Sequence, residues 1–152
     1  MTALAHKPAT ATVAAERQLI RLMFEDHSII PYVQAQLSDS EIQGAERKTI
    51  INSIFAAYNM GKSPAADMLA VSLAEEAANE LSNIMVMESQ CSDVARMVDD
   101  CLKAIRLAYL KSLYEQHRLR AHELERMGDS NFLQELAESQ RIKDEISKLH
   151  QS

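Results

Sequence analysis

Along most of this chain apolar residues return at steps of three and four, the spacing that lays a stripe down one side of an α-helix. The clearest case begins at Ser92, where Val94, Met97, Val98, Cys101, Leu102, Ile105, Ala108 and Tyr109 fall on one such stripe. Past Tyr114 the stripe thins, and EQHRLRAHELERM keeps only Leu119, Leu124 and Met127 as large apolar residues. No Gly or Pro interrupts the run before Gly128. The pattern therefore predicts one helix from Ser92 to Met127, of roughly 35 residues and about 50 Å long. A globular domain of this size is roughly 30–40 Å across, so the far half of the helix is expected to leave the core that its first half builds. Gly128 suits a left-handed C-terminal cap, and Asp129 or Ser130 suits the N-cap of a second helix running to Leu149. A bundle carrying a projecting two-helix hairpin is the architecture this implies.

Shorter elements precede it. Val13 to Phe24 is the first predicted helix, with Leu19, Ile20, Leu22, Met23 and Phe24 facing inward. After Asp26, Ser28 is placed to cap a short helix from Ile29 to about Gln36, with Pro31 in its first turn, where a missing N–H costs little. Ser38 to Glu41 has the S-x-x-E form of a capping box and is expected to open a short helix ending near Gly44. Ala45 to Tyr58 is amphipathic through Ile50, Ile51, Ile54, Phe55 and Tyr58, and Asn59-Met-Gly61 stops it. Ser63-Pro64 reads as a cap followed by proline at the start of a helix to about Val71. Ser72 to Glu75 is a second S-x-x-E, opening a helix through Leu81, Ile84 and Met85.

Composition agrees. At 152 residues the chain fits one domain, or one domain with an appendage. Three Gly, three Pro and no Trp, with no alternating run bounded by turn residues, make the predicted fold class all-α. The expected organisation is a linker remnant at 1–12, a helical bundle at 13–112 and a helical hairpin at 113–152. The first fifteen residues have no apolar core of a secretory signal and read as the end of an Ala/Thr/Pro linker, with a start Met placed on it. No run approaches the roughly 20 apolar residues that cross a bilayer.

The net charge of −6 is spread along the chain, with 10 Lys/Arg against 14 Asp/Glu in residues 1–112 and 6 against 8 in 113–152. Neither part has the basic surplus that phosphate binding requires, so no direct nucleic-acid contact is expected. Arg118, Arg120 and Arg126 read as a solvated helix face alternating with Glu123 and Glu125. Cys91 and Cys101 lie around one helix start, where they cannot close a bridge, and two thiols make no zinc site. They read as small hydrophobes in a reducing compartment, which points to the cytoplasm.

No motif points to catalysis or to a cofactor. Gly61-Lys62-Ser63 ends like a phosphate-binding loop, but the earlier glycine of that loop falls on Ala56, inside a helix. A bundle di-metal site needs Glu three residues before His. The residues three before His6, His27, His117, His122 and His150 are Ala3, Phe24, Tyr114, Leu119 and Ser147. Asp99-Asp100 and Glu75-Glu76 are neighbours about 100° apart on a helix and read as surface charge. The eight methionines read as core, since they recur at helical spacing beside Leu and Ile.

The hairpin is where the apolar pattern lacks partners. In its second helix Phe132, Leu133, Leu136 and Ala137 form one patch, and Ile142, Ile146 and Leu149 another. Only Leu119, Leu124 and Met127 face them, and an isolated pair of helices with so few contacts is marginal. Either these residues fold back on the bundle, or a second protein covers them.

Taken together, AERQLIRLMFEDHSI (15–29), TIINSIFAAYNMGKSP (49–64) and DSNFLQELAESQRIKDEISKL (129–149) resemble the C-terminal helicase-binding domain of bacterial DnaG-type primases. The first is similar to that family's opening A-E-x-x-L helix, the second to its helix leading into G-x-x-P, and the third to its last helix, with F-L near the start. The resemblance implies a non-catalytic domain of a primase, whose parent protein would be a DNA-directed RNA polymerase. The domain would dock on the N-terminal domain of the hexameric replicative helicase. It implies contact through Met127, Phe132, Leu133, Leu136, Arg141, Ile142, Ile146 and Leu149, with the bundle from Val13 to Met87 modulating the helicase. No cofactor, membrane or small-molecule ligand is expected with it. Two other identities fit the same pattern: the N-terminal domain of the helicase itself, and a free-standing helical adaptor. The first is disfavoured because no linker and motor domain follow the hairpin in this sequence.

Overall fold

Residues 10–88 and 92–151 are described by a computed structural model. They form seven α-helices and two 3-10 turns, with no strand among them, so the fold is all-α. The helices are α1 (Thr10–Glu25), α2 (Ile30–Gln36), α3 (Ala45–Asn59), α4 (Ala66–Ser72), α5 (Glu75–Met85), α6 (Val94–Arg126) and α7 (Phe132–Gln151). The chain divides into two compact units, residues 1–105 and 106–152.

The first unit is built on α1, α3 and α5, which pack against one another, with α4 against α3 and α5 and α2 against α3. Leu19, Ile20, Leu22 and Met23 of α1 are fully buried, as are Ile50, Ile51 and Ile54 of α3 and Ile84 of α5. Each such side chain removes apolar surface worth roughly 1.5–3 kcal/mol from water. Phe24, Phe55 and Tyr58 pack at the edge of this core, half-buried. The first turns of α6 add Val98, Cys101 and Ile105. Burial first, and then the neighbouring Asp100, push the Cys101 thiol up to about 11, which leaves it a small hydrophobe rather than a nucleophile. Cys91 lies outside the described residues.

Charged residues hold the same three helices together. Glu16 of α1 is fully buried, and Arg47 of α3 and Glu80 of α5 nearly so. Arg47 donates through Nε to Glu16 (2.7 Å) and through Nη1 to Glu80 (3.0 Å). Arg17 forks onto Glu80 at 2.8 and 3.0 Å. The backbone N–H groups of Gln43 and Gly44 donate to the Glu16 carboxylate at 2.7 and 3.3 Å. Burial alone would raise the Glu80 carboxyl, but the bonds from Arg17 and Arg47 outweigh it and hold it below its usual range. Burial likewise opposes the charge on Arg47, and Glu16 and Glu80 more than restore it.

Several local expectations change. Asp26, not Ser28, caps the segment after α1: its Oδ1 accepts from the Ser28 N–H at 3.0 Å, over a 3-10 turn at His27–Ile29. Ser38 to Glu41 makes the reciprocal contact of a capping box, with the Ser38 N–H donating to Glu41 at 2.9 Å, yet it encloses only a 3-10 turn. α4 begins at Ala66, two residues after Pro64, and its N-cap is Ala65. Ser72 is the last residue of α4 and donates to the Leu69 carbonyl at 3.1 Å, so it does not cap α5. Leu73 and Ala74 lie between the two helices, and Ala74 is the N-cap of α5. α1 starts at Thr10, inside the expected linker, because Thr12 and Ala15 are buried with the core face.

Two glycines close helices in the same way. Gly61 (φ 79°) follows α3, where the Gly61 N–H donates to Tyr58 and the Lys62 N–H to Ala57, both at 3.0 Å. Gly128 (φ 74°) follows α6, where the Gly128 N–H donates to Glu125 at 3.0 Å and the Asp129 N–H to Leu124 at 2.9 Å. Both are Schellman motifs, which need a left-handed residue. Gly61-Lys62-Ser63 is thus a helix stop rather than a phosphate cradle.

Candidate partner-binding surface

The second unit joins the distal part of α6 to α7 through the turn at Gly128. α6 is one unbroken helix of 33 residues, about 50 Å long. At the start of α7, Asp129 Oδ1 accepts from the Asn131 N–H at 2.9 Å, which shapes the turn as the sequence suggested. Across the hairpin, Nδ1 of His117 lies 2.6 Å from Oε1 of Glu135, and Nε of Arg120 lies 3.5 Å from its Oε2. Glu135 thereby ties the first turns of α7 to residues 117–120 of α6.

The interior of this unit is thin. Among its described residues only Leu110, Ala121, Ser139 and Ile142 are buried, and none belongs to the core cluster of the first unit. Two of the four are small. The Ser139 hydroxyl is satisfied by its own helix, donating to the Leu136 carbonyl at 2.8 Å, a bond that keeps a buried polar group paired. Hydrophobic stabilisation here is a fraction of that in the first unit.

The large apolar residues lie outside instead. Met127 is 68% exposed, Leu133 61%, Leu119 54% and Leu136 44%. All four belong to the turn end of the hairpin: the last turns of α6, the turn itself and the opening turns of α7. Leu133 and Leu136 are three apart and share a face of α7. Leu119 and Met127 were expected to face α7 from within, but both lie on the surface; at Leu119 the His117 and Arg120 contacts to Glu135 occupy the seam instead.

The residues named from the sequence therefore separate. Met127, Leu133 and Leu136 are exposed, while Phe132, Ile146 and Leu149 are half-buried. Ile142 is only 1% exposed, so in this unit it supports the surface from inside and does not line it. Arg141 is exposed and held within α7 by Glu138 and by Glu145, the latter at 2.6 Å. The bond to Glu138 raises its pKa and lowers that of Glu138. Arg118 and Arg126 are likewise paired within α6, to Glu115 and Glu123, as the reading of a solvated face implies. Among the described residues no group of three or more His, Cys, Asp or Glu side chains is placed to hold a metal ion. None of their helices is long and apolar enough to cross a membrane.

Comparison of the chain with family models, curated proteins and solved structures found no match. Fold and surface together define an all-α chain of two compact units, the second a helical hairpin with an exposed apolar end.

Proposed function

We propose that this chain is the helicase-binding domain of a bacterial primase, working in the cytoplasm. It docks through its hairpin on the N-terminal domain of the hexameric replicative helicase, recruits primase to the replication fork and modulates the helicase. The domain itself is not an enzyme. The observation that carries this reading is the exposure of Leu119, Met127, Leu133 and Leu136 on a unit with four buried residues among those described. A hairpin so poor in internal contacts gains most from a partner that covers its apolar end. The order of elements gives further support, since a bundle, a long helix and a terminal hairpin follow one another as the resemblance implies. So does Glu16, the acid of the A-E-x-x-L motif, which has a structural task in clamping α1 to α3.

The test is a calorimetric titration of the chain against the N-terminal domain of the cognate helicase. Binding in the micromolar range or tighter, about −8 kcal/mol, is expected. Leu133→Asp should abolish it while leaving the helical circular dichroism intact, because Leu133 is exposed. The proposal fails if the helicase domain does not bind, or if deleting residues 131–152 leaves binding unchanged.

A further inference from the structure

The bundle unit carries an apolar surface of its own. On α4, Met68 and Val71 stand one helical turn apart and are 72% and 88% exposed; Met60, in the turn before, is 70% exposed. The same helix already has an inward side, since Ala66, Leu69 and Ala70 pack against the core. Met68 and Val71 are therefore additional to what the fold requires.

The charges around them are one-sided. Asp67, Glu75 and Glu76 are exposed within the eleven residues from Ala66 to Glu76, and Glu88 is exposed beyond α5. None of the four makes an ion pair among the described residues, and neither does Lys62, the single basic residue between 60 and 88. Other carboxylates are paired with cations, among them Glu16 and Glu80 in the core and Glu115, Glu123, Glu138 and Glu145 on α6 and α7.

We propose that the exposed face of α4, with the acidic start of α5, docks a basic amphipathic helix of a partner protein. Met60, Met68 and Val71 would take its apolar side, methionine being able to repack around different shapes. Asp67, Glu75 and Glu76 would meet its Lys and Arg residues, complementarity that speeds encounter and selects the partner. Nucleic acid and acidic segments are repelled by the same carboxylates. A second copy of this chain is a poor occupant, because it carries −6 and its Arg118, Arg120, Arg126 and Arg141 are already paired.

The probe is a fluorescent Leu/Lys amphipathic peptide of about five helical turns, titrated into the full chain beside a Leu/Glu twin of the same apolar pattern. The Leu/Lys peptide should bind, more weakly as salt rises, and the twin should not. Met68→Lys and Val71→Lys should each weaken binding at least about tenfold, whereas Leu133→Asp should not. In a methyl spectrum of labelled methionines, the Met60 and Met68 signals should shift and that of Met127 stay still. Equal binding of the twin overturns the proposal, as does indifference to Met68→Lys and Val71→Lys, or a shift of Met127 alone. The outcome is independent of helicase binding through the hairpin.

Discussion

The two units solve the same problem with unequal means. In the first, three helices close over large aliphatic residues and are pinned by a buried Glu–Arg–Glu chain. In the second, two helices share four buried residues among those described, half of them small, and a polar tie at Glu135. Both have good helix formers, the same glycine stop and ion pairs along their surfaces. What differs is how much apolar surface each hides, and on that the stability of a helical unit largely depends.

The largest break in this comparison should come from Arg47→Ala. It strands the Glu16 carboxylate, fully buried, without its guanidinium, and loss of one partner of a buried pair costs about 3–5 kcal/mol. Urea unfolding followed by circular dichroism should show it; a loss under about 1 kcal/mol would mean that the network adds little.

Ile142→Ala should cost roughly 2–4 kcal/mol, enough to open the thin second unit. Hydrogen exchange should then rise through α7 while α1 and α3 keep their protection. Equal loss in both would mean that the units are not energetically separate. Glu80 sharpens the contrast from the side of pH. Its folded pKa lies below its ordinary value of 4.5, so the folded state binds fewer protons than the unfolded chain there. The stabilisation is complete above about 4.5 and is lost as pH falls through the lower folded value. Acid unfolding should therefore reach the first unit through this network, and Glu80→Gln should flatten the pH dependence. Smallest is Gly128→Ala, at about 1 kcal/mol for the positive φ. Gly61→Ala should cost the same locally, since a Cβ meets nothing within 4 Å at either position.

The sequence was most legible where period and punctuation agreed. Ile50, Ile51 and Ile54 before Gly61, and Val98, Cys101 and Ile105 on the way to Gly128, mark α3 and α6 because a buried stripe and a left-handed stop are both local. Ser63-Pro64 and Ser72 misled because helices as short as α4 take their ends from packing rather than from caps. The Glu16–Arg47–Glu80 network was missed because helical charges are usually solvated. A signal existed: Glu16 precedes Leu19 and Ile20 by three and four, Arg47 stands likewise to Ile50 and Ile51, and Glu80 falls between Ala77 and Ile84. Acid, base and acid on three core-facing stripes form a matched set. The apolar end of the hairpin was legible through Met127, Leu133 and Leu136. The exposure of Leu119 depended on the register set by Glu135, which no local pattern encodes.

Gly44 shows how far that buried network reaches. Its φ of −84° suits any residue, but an added Cβ would stand 2.2 Å from the Arg47 guanidinium. The arginine could swing aside only by releasing Glu16 and Glu80. Positions 44 and 47 are thus coupled: Gly44→Ala should disturb the same buried network that Arg47→Ala removes, and with Arg47 replaced by alanine the clash that bars a side chain at position 44 is gone.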